Sequence, residues 1–182
     1  MRTLFLLCAL SLVSLSASAT EKMYAVAGVA FNDMDFSEQD ESGVGYTLAI
    51  GHQFHPQWYV EAGYLKLMDD LSDTDGLEGD ALYLAVLGKA SSRQGELFYK
   101  LGVARADIQG REAALADDSC ALGSAQGGTC YFDEGVIAGL VGLGFDYHLT
   151  MQSMVRLEYT YLGGEESFSS HWVNLAFRYN FN

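Results

Sequence analysis

Eight stretches of this chain alternate between two kinds of side chain with a period of two, and the connections between them alternate in length. The pattern is plainest from Val44 to Phe54. One parity carries Val44, Tyr46, Leu48, Ile50, His52 and Phe54; the other carries Gly45, Thr47, Ala49, Gly51 and Gln53. Successive side chains of a strand point to opposite faces, so one face is large and apolar and the other small or polar. The same reading predicts strands at 22–32, 44–54, 58–68, 81–89, 96–106, 135–147, 153–162 and 171–181. Connections at 55–57, 90–95 and 148–152 are short, those at 33–43, 69–80 and 107–134 are long, and 163–170 is intermediate.

Short turns on one side and long loops on the other are the pattern of a barrel that spans an outer membrane. An even strand number lets the sheet close, and closure matters because lipid offers no partner to an unpaired backbone edge. The expected fold is all-β: a closed, antiparallel, eight-stranded transmembrane β-barrel in the cell outer membrane. Aromatic residues agree with this. Phe54, Trp58, Tyr99, Phe145, Tyr147, Tyr179 and Phe181 fall near the short turns on the outward parity, and Tyr46, Tyr64, Tyr83, Tyr159 and Tyr161 near the long loops. Two such belts mark the two interfaces of a membrane. The first strand is apolar on both parities, which leaves its faces unassigned.

The first 19 residues read as an export signal: Arg2, an apolar run from Leu4 to Val13, and Ala17-Ser18-Ala19 as a small-residue cleavage site. The barrel domain is then expected over residues 20–182. Cys8 leaves with the signal, so Cys120 and Cys130 remain in an exported protein and are expected to form a disulfide. The long connections hold 19 of the 24 acidic residues, with Arg111 as their only basic companion. A net charge of −14 excludes a nucleic-acid partner, because phosphate binding needs a basic surface.

On the inward parities lie Glu61, Lys100, Asp146, Arg156, Glu158 and Arg178. Enclosed charges must pair, so these are expected to form an interior cluster. It either holds a solid barrel together or gates a pore. At these positions the chain resembles the transmembrane domain of the outer membrane protein A family. The matching stretches are Gly51-His52-Gln53-Phe54-His55-Pro56, Glu61-Ala62-Gly63-Tyr64, Lys100-Leu101-Gly102, Gly144-Phe145-Asp146-Tyr147, Arg156-Leu157-Glu158-Tyr159 and Arg178-Tyr179-Asn180-Phe181. The resemblance implies a Glu61–Arg156 pair. It also implies a lysine on the fourth strand as the partner of Asp146; Val86 stands at the position that corresponds to it. Lys100 is therefore expected to pair with Asp146 instead.

Lys66 and Arg105 fall on the outward parity at the outer ends of their strands, where both are expected to snorkel toward lipopolysaccharide phosphates. Asp73-Thr74-Asp75-Gly76 fits the middle of a calcium loop, but Leu71 and Leu82 occupy the first and last ligand positions, so no metal or other cofactor is expected. His171, near Ser169, Ser170, Glu165 and Glu166, is the one histidine at the outer rim that a lipid A-modifying enzyme could use. The expected role is structural or interactive rather than enzymatic: a monomeric surface barrel displaying acidic loops, in adhesion or envelope integrity. A narrow channel is the alternative, and a lipid A enzyme the second. Expected partners are outer-membrane lipid and lipopolysaccharide, the barrel-assembly machinery, and a host-surface or matrix partner met by the loops.

Overall fold

The computed structural model describes residues 22–36, 39–71, 76–113, 120, 124–126, 129–164 and 168–181. All regular elements among them are strands: β1 (Met23–Phe36), β2 (Gln39–His55), β3 (Trp58–Leu71), β4 (Gly76–Ser91), β5 (Gly95–Ala113), β6 (Ser124–Gln126), β7 (Thr129–His148), β8 (Ser153–Gly164) and β9 (Ser169–Asn180). The sheet runs β5-β4-β3-β2-β1-β9-β8-β7, and β5 pairs β7 to close it. Eight long antiparallel strands thus make the barrel, and β6 is a three-residue addition along the end of β7. The leader at 1–19 and the calcium-like Asp73-Thr74-Asp75 lie outside the described residues.

Side-chain size decides the two faces. Leu48, Ile50, Leu82, Leu84, Leu101, Val103, Val141, Leu143, Leu157 and Leu175 all point out and are each at least half exposed. The inward parity carries Ala49, Ala81, Ala85, Ala104, Ala106 and Ala138 together with the polar residues. A barrel of eight strands encloses just enough room for side chains to fill it. Many inward positions are therefore small, and the outward parity of these strands is given to large aliphatic residues that meet lipid. Phe54, Trp58, Tyr99, Tyr147, Tyr179 and Phe181 face outward near the short turns, and Tyr46, Tyr159 and Tyr161 face outward toward the other end. The first strand is now assigned as well: Tyr24, Val26, Ala30 and Asn32 point in, and Val29 and Phe31 point out.

Two expectations are corrected. On β4 the parity is reversed. Leu82, Leu84 and Val86 face lipid, whereas Tyr83 and Leu87 are buried in the lumen at 5% and 0% exposure. Tyr83 is therefore not part of the outer aromatic belt. The strand is apolar on both parities, so hydropathy alone did not choose its face. Second, the long connections are mostly strand. The β1–β2 ladder runs on to Phe36↔Gln39, β3–β4 to Leu71↔Gly76 and β5–β7 to Ala113↔Thr129. Polar composition marked these segments as loops, but a ladder that has already paired within the membrane continues at little cost in water.

Cys120 and Cys130 are bridged, with Cα atoms 5.7 Å apart. The bridge ties the segment before β6 to the outer end of β7. Closing so short a loop is worth about 2–3 kcal/mol in the chain-entropy model, and none of the β1–β5 and β7–β9 pairings within the membrane depends on it. Reduction with dithiothreitol should therefore leave the barrel folded. The check is electrophoresis without boiling, where reduced and oxidised samples should both run as the compact form.

Candidate functional site

The lumen divides into two layers. Its lower half, toward the short turns, holds the charges. Glu61, Lys100, Asp146, Arg156, Glu158 and Arg178 are all at most 4% exposed, so each inward placement agrees with the parity read from the sequence. The network also contains Lys89 of β4, 6% exposed, and Glu96 of β5, neither of which the sequence reading placed inside. Four carboxylates thus face four cations, and the enclosed charge balances.

Arg156 and Asp146 are the hub. They are register partners across β7 and β8, and Arg156 Nε and Nη2 donate to Asp146 Oδ1 and Oδ2 at 2.7 and 3.0 Å. Such two-pronged pairing matches the planar fork of guanidinium to a carboxylate. Arg156 Nη1 reaches across the lumen to Glu61 Oε2 at 2.9 Å, as the family resemblance implied. Asp146 Oδ2 also receives Arg178 Nη1 at 2.6 Å and Lys89 Nζ at 3.0 Å, and Glu96 Oε2 bridges those two cations from below, at 2.9 and 3.1 Å.

The partner of Lys100 is not Asp146. Lys100 Nζ lies 2.8 Å from Glu61 Oε1 and 2.5 Å from Glu158 Oε1. The register explains this. On β5 it is Glu96 that faces Asp146, while Lys100 faces Gly142, four residues higher. At about 3.3 Å per residue the separation is roughly 13 Å, beyond the reach of one ion pair. The lysine that does serve Asp146 is Lys89, on β4, the strand where the family resemblance puts it. Only the reversed parity and the choice of Val86 hid it. The signal was present in the sequence: taking Leu82, Leu84 and Val86 as the lipid face puts Lys89 inside automatically.

Aromatic rings line the cluster. Tyr24 and Tyr83 each donate a hydroxyl hydrogen bond to Glu61, at 2.7 and 2.8 Å. Their rings lie flat across two glycines: a Cβ on Gly51 would come 2.1 Å from Tyr24, and one on Gly63 would come 2.6 Å from Tyr83. Glycine at these two inward positions makes the space through which the rings reach Glu61. The cations are covered in turn, with Arg178 4.0 Å from the Tyr24 ring centroid and Arg156 and Lys89 each 4.4 Å from those of Phe98 and Tyr59. Thr160 Oγ1 donates to Glu158 Oε1 at 2.8 Å and ends the polar layer.

Above that layer the lumen is mainly apolar, with Asn32, Thr47 and Ser170 as buried uncharged polar members. Leu65, Ile108, Val136, Leu140, Leu162, Phe168 and Trp172 are each at most 4% exposed and belong to one packed core with the inward alanines. Among the described residues, no side chain in that layer extends the charge network upward.

The cations expected at the outer interface behave differently from each other. Arg105 is exposed, with 73% of its side chain accessible, and lies 3.5 Å from Asp107. Lys66 keeps the outward parity but does not snorkel free: it is 9% exposed, set between its register partners Tyr46 and Asp80. His171 also points outward. Its Nδ1 is 2.7 Å from the Tyr159 hydroxyl and its ring centroid is 5.0 Å from that of Tyr161, whereas Ser170 is buried on the opposite face. The histidine and that serine therefore do not meet. Glu165 and Glu166 lie outside the described residues. Among the described residues no group of three or more His, Cys, Asp and Glu side chains is arranged to hold a metal ion.

Comparison with known proteins agrees with this architecture. Solved structures of the same fold include neisserial surface protein A, at 12% identity and a TM-score of 0.69, covering 88% of this chain and 98% of that one. Ail, the attachment invasion locus protein of Yersinia pestis, matches at 13% identity and 0.60, over 87% and 99%. OprG from Pseudomonas aeruginosa matches at 10% and 0.50, over 88% and 97%. No curated protein matches the chain significantly. The model of the outer membrane protein beta-barrel domain matches residues 5–181. With its closed eight-stranded sheet, lipid-facing aliphatic belt and paired interior charges, the chain belongs to that family of small outer-membrane β-barrels.

Proposed function

We propose that the protein is a non-conducting outer-membrane barrel whose work is done at its extracellular end, by contact with a partner. The observation that carries this reading is the two-layer plug. An ion entering from the periplasm meets eight paired charges, and beyond them a closely packed, mainly apolar layer that offers few groups to replace its hydration shell. Breaking the network to open a path leaves buried charges unpaired, at a cost of several kcal/mol for each ion.

What faces outward supports contact as the function. The outer strand ends carry Asp33, Asp35, Asp40 and Glu41 on β1 and β2, Asp69, Asp70, Glu78 and Asp80 on β3 and β4, and Asp107, Glu112, Asp133 and Glu134 on β5 and β7. The fold neighbour Ail has been solved with the heparin analogue sucrose octasulfate. The acidic end of the present chain would repel such a polyanion, so its partner is better matched by a basic protein surface on a host or matrix component. Electrostatic attraction of this kind acts mainly on the rate of encounter and weakens with salt.

Planar-bilayer recording on the purified barrel tests the proposal. No discrete conductance steps are expected between −100 and +100 mV on the order of magnitude used for small pores. Reproducible single-channel steps from protein shown to be folded by its unboiled gel mobility would favour the channel reading instead.

A further inference from the structure

The turn between β7 and β8 carries a pattern that the barrel itself does not need. His148, Met151 and Met154 follow one another as His-x-x-Met-x-x-Met. His148 and Met154 face each other across the β7–β8 ladder. Residues directly opposite in an antiparallel pair hold their Cβ atoms about 4.5–5.5 Å apart on one face. Both take the inward parity of Asp146 and Arg156, and Met151 lies in the turn that joins them. All three line one cavity of about 260 Å³ at the periplasmic mouth of the lumen. Two of the six methionines in the chain line it from this hairpin, together with that histidine.

The turn is pinned rather than loose. Leu149 and Thr150 donate backbone hydrogen bonds to the Ser153 carbonyl at 2.9 and 3.0 Å, and Ser153 N donates to Thr150 Oγ1 at 3.0 Å. On its flanks, His148 N donates to the Gln94 carbonyl at 3.1 Å and Asn180 N to that of Gln152 at 2.8 Å. On this fixed frame Met151 is 95% exposed. A methionine so placed gains nothing from burial, so packing does not account for it. The carboxylate of the same cavity, Glu96, is committed to Lys89 and Arg178, and Arg178 is neutralised in turn. Lys22, Gln53, Tyr59 and Asn180 also line the cavity, and its soft donors are the two thioethers and the imidazole of this hairpin.

Soft, neutral sulfur and nitrogen donors favour a soft monovalent ion, whereas magnesium and calcium require oxygen ligands. We propose that His148, Met151 and Met154 form a copper(I) site at the periplasmic mouth. The site would give the barrel a second function, the capture of copper(I) or silver(I) on its periplasmic face, separate from whatever its outer end contacts.

The test uses the whole folded barrel in detergent under anaerobic reducing conditions. Copper(I) is titrated in competition with the chromophoric chelator bicinchoninate, and silver(I) is titrated into protein carrying ¹³C-methyl methionine. One equivalent of copper(I) should be withdrawn from the chelator, and silver(I) should shift the Met151 and Met154 methyl signals but not those of Met34 and Met68. Leucine preserves methionine's volume, so Met151→Leu/Met154→Leu should fold normally and lose affinity at least about tenfold, a change of roughly 1.4 kcal/mol. His148→Gln should weaken binding in the same direction, and Met34→Leu/Met68→Leu should leave it unchanged. Failure of the barrel to withdraw copper(I), equal competition by the Met151→Leu/Met154→Leu variant, or zinc(II) binding as tightly as copper(I) would each overturn the site.

Discussion

Arg156→Met should cost the folded barrel about 3–5 kcal/mol, the largest effect expected of any single substitution in the network. Arg156 is the one cation that contacts three carboxylates: Asp146, Glu61 and Glu158. Its removal strands Asp146 and Glu61 in an interior where they are fully buried. Asp146 would keep Lys89 and Arg178, and Glu61 would keep Lys100, so the loss falls short of that for two isolated ions. Urea titration of folding in detergent micelles measures it. Double-mutant cycles then separate the two halves of the network. Lys89→Met with Asp146→Asn, and Lys100→Met with Glu158→Gln, should each show coupling of about 0.5–3 kcal/mol, while Lys100→Met with Asp146→Asn should be nearly additive. Strong coupling in that last pair, with none between Lys89 and Asp146, would contradict the pairing described above.

A depth series along the outward parity of β5 should give the second largest effect. Tyr99, Leu101, Val103 and Arg105 follow one another on the lipid face, each at least 46% exposed or, for Arg105, with 73% of its side chain accessible. The natural cation stands at the outer end of this row. Arginine costs about 2–4 kcal/mol at the bilayer midplane and about 0–1 near an interface. Leu101→Arg should therefore destabilise the barrel by about 2–4 kcal/mol in lipid vesicles, Val103→Arg by less, and Arg105→Leu hardly at all. The same variants in detergent micelles, which deform more easily around a charge, should differ less. A flat series in vesicles would mean that these residues do not face the hydrocarbon core, and the membrane-spanning reading of β5 would fall with it.

Much of this molecule is determined by the order of its residues alone. Period-two alternation and the inequality of the turns specify a closed barrel. The same alternation puts Glu61, Lys100, Asp146, Arg156, Glu158 and Arg178 inside, and export with two remaining cysteines points to the Cys120–Cys130 bridge. These properties depend only on which way a side chain points along its own strand. Three things depended on the tertiary structure. The faces of β4 were ambiguous because Leu82, Leu84 and Val86 compete with Tyr83, Ala85 and Leu87 for the same side. The choice is made by the width of the lumen and by Glu61, which needs the Tyr83 hydroxyl. The partner of each charge was undetermined because inward parity does not give height. The stagger between neighbouring strands sets Glu96 rather than Lys100 beside Asp146, and brings in Lys89 from β4. Finally, setting His148 opposite Met154 needs the register of β7 on β8, which residue spacing does not give. Alternation is a local property of a single strand, whereas register and closure are properties of the whole sheet.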